Sequence, residues 1–529
     1  MNAEDGKRLL DGAVLLTFAA LISKVLSIGY RIPYQNITGD IGYYIYQQVY
    51  PFYGIAFILA MYGFPSVISK LVSERASKGD PAGARHVLAV AFWLLASLGI
   101  LSFLILYFMA PVIARFVGDP QLVSAYRMIS FPFLFLPFIS VLRGMFQAEE
   151  NMLPTAMSQI AEQCVRVVAI VCLCFYFMYG GYGVYAAGAG AAFGSVAGGA
   201  ASVLVLLSFL RKRNKQHRKM ASIRPAIEKK KIIKQLLFEG FIFSVSSLAL
   251  IFFQFVDALT IFNQLKASGF SDVEAKMAKG MFDRGQPLLQ LGLTVATSLS
   301  LVIVPFIVKD IVRDRLLEAA QKAGFALKIS FISGLAASVG LFVIIEPTNM
   351  MLFKDTNGSS MLAILGITIV FSSVALTAVA VLQAIGKVRL ILFIISFGLL
   401  VKIFMNTVCM PLFGIEAAAV ATVAGFAGMS AFSVLYVNKK LNLFKRYRFY
   451  SIRISLSAIG MAIVTFIWKT GIEAVLGSGR MAAAIVALSS VVVAVLTYFS
   501  LLFVFRTFTK EELTYFPKVG KLTAILKNK

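Results

Sequence analysis

Eight cationic side chains, Lys24, Arg127, Arg143, Arg166, Lys279, Arg284, Lys328 and Lys402, stand inside long apolar stretches of this sequence. A charge at the centre of a membrane helix costs about 2.5–3.5 kcal/mol on insertion scales, so each needs a reason to persist. Lys24 in the first stretch and Lys402 in the eleventh lie near mid-depth, roughly 20–22 Å from the inner surface at 1.5 Å per residue, beyond easy snorkelling. Arg166 holds the position equivalent to Lys402 in the fifth stretch, with Glu162 one turn before it. That i,i+4 spacing predicts partial neutralisation and leaves structural pair and cavity residue equally open. Asp283 and Arg284 fall in the outer third of the eighth stretch and Asp257 at comparable depth in the seventh, so an Asp257–Arg284 contact is expected. Arg143, Glu239 and Lys328 lie near the cytoplasmic interface, where snorkelling or helix-end charge explains them.

With Arg31 at the outer end of the first stretch, the cations Lys24, Arg31, Arg166, Arg284 and Lys402 outnumber the acids Glu162, Asp257 and Asp283. An interior of that sign stabilises an anion, above all a phosphate or diphosphate that accepts several charge-assisted hydrogen bonds. Tyr43, Tyr44, Tyr46, Tyr50, Phe52 and Tyr53 crowd the outer half of the second stretch. Interfacial anchoring explains them better than stacking on a sugar.

The elements that must carry these residues are membrane helices. Of 529 residues, 59% are hydrophobic and 14% charged, far more apolar than a soluble domain. Fourteen apolar runs long enough to cross a bilayer recur from 9–30 to 480–507, predicting an all-α integral membrane protein. Runs holding Pro51 and Pro65, Pro132 and Pro137, or Pro287 and Pro305 should be bent or broken. The formal charge of +25 is a bilayer's, not a nucleic-acid binder's. With the N-terminus inside, alternate connectors hold 35 Lys and Arg on the cytoplasmic side against 7 outside, which places both termini in the cytoplasm. The first run continues past signal-peptide length without a small-residue cleavage site and is expected to remain. Cys164, Cys172, Cys174 and Cys409 lie in apolar runs as packing residues, and His86 and His217 in polar connectors, so no metal centre is expected.

A basic connector, 211–235, divides the first twelve spans into six and six. FPSVISKLVSER from Phe64 faces VPFIVKDIVRDR from Val304, and GVYAAGAGAAFG from Gly183 faces GIEAAAVATVAG from Gly414. Such internal similarity marks duplication. Six is even, so the copies are parallel and related by a pseudo-twofold axis along the membrane normal, around a central cavity. The expected organisation is an N-terminal lobe (1–210, spans 1–6), the linker 211–235, which faces anionic lipid, a C-terminal lobe (236–438, spans 7–12), two further helices (439–508) and a tail (509–529). Gly190, Gly194 and Gly198 form a close-packing face in span 6.

The six-plus-six-plus-two order, with ISKVLSIGYRI in span 1, YPFYGIAFILAMYGFPSVISKL in span 2 and GMFDRGQPLL leading into VPFIVKD in span 8, resembles the polysaccharide-transporter branch of the multidrug/oligosaccharidyl-lipid/polysaccharide exporter superfamily. Within that branch it resembles the stage V sporulation protein B and YtgP group, relatives of lipid II flippases. The resemblance implies flipping of an undecaprenyl-diphosphate-linked saccharide, lipid II or a polysaccharide repeat unit, across the cell membrane, with membrane lipids as the other partner and a monomer as the expected state. Lys24 then matches an arginine of the flippase span-1 motif, Arg31 approximates a second, and Asp283-Arg284 matches an Asp-Arg pair. Three departures stand out: lysine at 24, Pro287 in place of an acid, and no arginine after the proline of span 2. Some relatives hold sodium with a span-7 acid and polar groups of spans 11 and 12; Asp257, Asn406 and Thr422 are the candidates here, or Lys402 supplies the charge instead. No other cofactor is implied, and sodium, proton and membrane potential stay open as driving forces. A multidrug antiporter on the same fold is the alternative, but it needs an acid-dominated interior. A membrane glycosyltransferase needs positioned acids or a metal, whereas the long connector offers the single acid Glu228.

Overall fold

In lipid, every backbone N–H and C=O must find its partner within the chain, which leaves the helix as the solution for apolar runs of this kind. The computed structural model describes residues 15, 16, 18, 19, 21–216, 229–442, 444–509 and 512, and every regular element among them is a helix. The start of span 1, the middle of the 211–235 linker and most of the 509–529 tail lie outside the described residues.

Among the described residues, twelve helical runs are long and apolar enough to cross a membrane. The sequence division into fourteen differs at two places. Leu21–Ala76 forms one run of 56 residues where two spans were drawn. The stretch 278–309, drawn as one span and absent from the twelve, is cut into three helices, with breaks at Arg284 and Leu293.

The chain forms two compact units. The first comprises Met1–Arg284 and Ile403–Ala418. It holds α1 (residues 21–29), α2 (Arg31–Ile58), a π-helical turn (Leu59–Gly63), α3 (Phe64–Ala76), α4 (Pro81–Val117), α5 (Val123–Ser130), α6 (Pro132–Ala148), α7 (Leu153–Tyr179), α8 (Val184–Gln216), α9 (Lys229–Ala267) and α10 (Asp272–Asp283). Its core packs Phe64, Val67 and Ile68 of α3 against Val87 and Leu95 of α4 and Met145 of α6. The second unit comprises Gly285–Lys402 and Ala419–Lys529. It holds α11 (Gly285–Gly292), α12 (Thr294–Val312), α13 (Leu316–Phe353), α14 (Ser359–Ala384), most of α15 (Val388–Val408), then, after α16 (Met410–Phe413) of the first unit, most of α17 (Glu416–Leu441), α18 (Phe444–Leu476) and α19 (Arg480–Val504). There, Ile332, Ile454, Met461, Tyr498 and Leu502 form a core joining α13, α18 and α19.

Three local features of the first unit place its polar side chains. Gly39, at φ +68°, breaks α2 just before Asp40. Pro51 and Pro65 flank the π-helical turn, a usual device for bending a long helix. The expected glycine face on α8 is real: a Cβ on Gly198 would stand 2.7 Å from the Glu162 carbonyl, and one on Gly194 2.5 Å from Ile170. Only glycine lets α8 lie this close to α7. Cys164 and Cys172, expected in packing, are exposed instead, and all four cysteines are free.

Candidate functional site: a buried guanidinium pair among tyrosines

Residues 43, 46, 50 and 53 recur at intervals of three and four, which puts four tyrosines on one face of α2. That face points into the first unit. Tyr43, Tyr46 and Tyr53 are at most 3% exposed, so the interfacial role expected for them is overturned. They surround Arg31 and Arg166, which are 0% and 1% exposed. The Arg31 guanidinium lies 4.5 Å from the Tyr50 ring centre. The Arg166 guanidinium lies 5.8 Å from that ring and 4.3 Å from the Tyr53 ring. Its Nη2 donates to the hydroxyls of Tyr30 and Tyr46, each at 2.8 Å, and those hydroxyls bond to each other.

The charge balance of this box is unusual. Among the described residues no carboxylate pairs with either guanidinium; all three Arg31 nitrogens and the Arg166 Nε lack a hydrogen-bond partner. The Tyr43 hydroxyl and Gln47 Oε1 nearby on α2 also lack one. Cation–π contacts contribute about 0.5–2 kcal/mol each. Removing a guanidinium from water costs several kcal/mol even after relaxation. The rings alone therefore do not offset the burial, and the unmet donors suit an anion with several oxygens.

Glu162 does not neutralise Arg166, contrary to the i,i+4 expectation. Its Oε2 accepts from Arg143 Nη2 at 3.1 Å, and its Oε1 from the Tyr53 hydroxyl at 3.1 Å. Arg143, expected to snorkel, is 0% exposed, because α6 is enclosed by α3, α4 and α8. Its Nε donates to Ser158, its Nη2 also to Ser202, both at 3.0 Å, and its Nη1 contacts Met61 Sδ in the π-helical turn. Lys328, likewise expected at the interface, is buried in the second unit, with Nζ 2.6 Å from Glu512 and from the Thr507 carbonyl and over the Tyr450 ring. Glu239 pairs with Lys70 at 3.1 Å.

The other predicted cations have different settings. Lys24 is half-buried on α1. The acid that grips Arg284 is Asp40, at 2.6 and 2.8 Å, with Gln35 donating to the same carboxylate. Sequence reasoning missed Asp40, which stood in a polar connector; the available signal was the Gly39-Asp40 dipeptide interrupting a helix. Gly280 makes this contact reachable, since a Cβ there would lie 2.1 Å from the Asp40 carbonyl oxygen. Asp283 is paired with Lys279 at 2.5 Å. At the start of α10 the Ser271 side chain and backbone bond to Glu274 in a capping box, holding that carboxyl below its ordinary value. Of the expected sodium group, Asn406 lies 3.5 Å from Asp257 and donates to Thr260 at 2.9 Å in the first unit. Thr422 instead accepts from the fully buried Lys402 at 3.0 Å in the second. The second unit also carries an open apolar groove of 540 Å³ along α13 and α18, lined by Val339, Phe342, Ile463 and Phe466 among others.

Residues 9–310 match the model of a family described as polysaccharide biosynthesis protein. Over 98% of its length and 97% of the relative's, the chain is 38% identical to the uncharacterized membrane protein YabM of Bacillus subtilis (strain 168). It is 26% identical to the lipid II flippase MurJ of the same organism, covering 90% of this chain and 92% of that one. Among solved structures, lipid II flippase MurJ in an inward closed conformation superposes with a TM-score of 0.66 at 14% identity, covering 93% of this chain and 98% of that chain. At that identity the superposition shows a shared fold.

Proposed function

The chain belongs to the polysaccharide biosynthesis protein family, and we propose that it is a membrane transporter of the multidrug/oligosaccharidyl-lipid/polysaccharide exporter superfamily, not an enzyme, that moves an undecaprenyl-diphosphate-linked saccharide across the cytoplasmic membrane. Lipid II or a polysaccharide repeat unit is the cargo class. The observation that carries this reading is the Arg31–Arg166 box: two buried guanidiniums with unmet donors and, among the described residues, no paired carboxylate, set among phenol rings. A diphosphate supplies oxygens for the donors, and the tyrosines offer flat faces and hydroxyls to an adjoining sugar. The apolar groove of the second unit suits a hydrocarbon chain and no charged group.

The repeat supports fourteen spans arranged as two parallel six-helix halves plus two, and alternating access by rocking of those halves. The excess of basic residues in alternate connectors supports cytoplasmic termini. Lys24, Arg284 and Lys402 remain in the proposed anion path, with Asp257, Asn406 and Thr422 as the groups available for ion coupling. In the present conformation Arg284 is met by Asp40 and Lys402 by Thr422, which leaves Arg31 and Arg166 as the first contacts we assign to the diphosphate.

Reconstituted vesicles carrying labelled lipid II provide the test. Translocation by the intact chain, abolished in Arg31→Met and Arg166→Met, is the expected result. Equal translocation by wild type and both variants would remove the site.

A further inference from the structure

Glu162 sits one turn from Arg166 on α7, where an ion pair between them would form readily. Such a pair would cancel one of the two charges on which anion binding rests. The carboxylate is instead fully engaged elsewhere: Arg143 takes Oε2 and Tyr53 takes Oε1. Arg143 is itself fixed from three directions, by Ser158 on α7, Ser202 on α8 and Met61 in the π-helical turn. The glycine-mediated approach of α8 to α7 at Gly198 brings Ser202, one turn on, up to this guanidinium.

We propose that Arg143 is a positioning residue which holds the Glu162 carboxylate away from Arg166 and, through the Tyr53 hydroxyl, seats the Tyr53 ring against the Arg166 guanidinium. It never touches the cargo. Its work is to keep a nearby negative charge occupied so that Arg166 stays available to a diphosphate. A plain helix-joining pair predicts only stability. A carboxylate keeper predicts more: without Arg143, Glu162 turns to Arg166 and competes with the anion, and removing that carboxylate as well gives the binding back.

This rests on the anion reading of the Arg31–Arg166 box, and the experiment separates the two. Inorganic pyrophosphate is titrated calorimetrically into the full chain in lipid nanodiscs, using wild type, R166M, R143M and R143M/E162Q. Wild type should bind and R166M should not. R143M should bind about tenfold more weakly, the worth of one charge-assisted hydrogen bond, and R143M/E162Q should return to within about threefold of wild type, as the competing charge is gone. If R143M does not survive purification, R143K replaces it; it keeps a cation but cannot make the three-way fork, and its loss, also reversed by E162Q, is smaller. Unchanged binding in R143M or R143K overturns the proposal, as does weak binding that E162Q fails to restore, the pattern of a merely structural residue. Wild type that binds no pyrophosphate overturns the anion site, and this proposal falls with it.

Discussion

On α7, Glu162 and Arg166 lie one turn apart, yet the two buried cation centres around them are built on opposite plans. Around Arg143, every arm of the guanidinium has a partner and a carboxylate balances the charge. Around Arg31 and Arg166, the partners are ring faces, phenol hydroxyls and, at 3.5 Å from Arg166 Nη1, the Gln163 amide oxygen, and several donors are unmet. Both centres exclude solvent, so burial does not separate them; satisfaction does. A buried group that is fully met holds helices together, and one left unmet marks where a ligand completes the protein.

That contrast breaks most sharply in stability. Removing one member of the satisfied pair leaves an uncompensated buried charge, so Glu162→Ala should lower unfolding stability by about 3–5 kcal/mol. The double replacement R143M/E162M should lose far less, because neither charge is stranded. Thermal denaturation in detergent micelles measures both. In the unmet box, Arg31→Met should change stability by about 1 kcal/mol or less, since lost cation–π contacts and relieved desolvation oppose each other. Its pyrophosphate affinity should nonetheless fall by about 2–3 kcal/mol, roughly a hundredfold, the worth of strong hydrogen bonds to a charged group. Should Arg31→Met prove as destabilising as Glu162→Ala, the two centres would be the same kind of object.

The remaining predictions concern how α10 is held. Gly280→Ala forces a methyl against the Asp40 carbonyl and should cost about 1–3 kcal/mol by overpacking. Crystallographic or cross-linking measurement of the Asp40–Arg284 contact in that variant should find it lengthened. Ser271→Ala, which removes the cap of α10, should cost about 1 kcal/mol. It should also flatten acid sensitivity slightly. Glu274 has its folded pKa lowered by bonds to the Ser271 side chain and then its backbone. Its contribution is therefore complete above the ordinary carboxylate range and disappears as pH falls through the lowered value. Comparing melting temperature against pH for wild type and Ser271→Ala checks the sign.

Much of this architecture was legible without coordinates, and the exceptions have physical causes. Helix content, the proline breaks and the glycine face followed from local rules about what lipid and close packing permit. Arg166 was recognisable because a charge in an apolar run is expensive wherever it points. Its partner was not, since i,i+4 spacing says which groups are within reach, not which competitor also reaches them; Arg143 comes from another helix and wins Glu162. The tyrosines were misassigned for a related reason. Aromatic density suggests an interface, but the intervals between 43, 46, 50 and 53 describe one face, and only the packing of α7 and α8 reveals that the face is inward. Asp40 depended on a backbone break and on a glycine 240 residues away, a pairing that no window of sequence contains.

The π-helical turn at Leu59–Gly63 is the one widened turn between α2 and α3. It sits between the tyrosine face and Pro65, with Gly63 pressed against Gly240 and Ser244 of α9. A widened turn stores one surplus residue; returning it to ordinary α winding would rotate the upstream rod against α3 by about 100°. Because Arg31 rides on the same helix as the four tyrosines, that rotation would move the rings and Arg31 together past Arg166 of α7, changing which rings face its guanidinium without unfolding a helix.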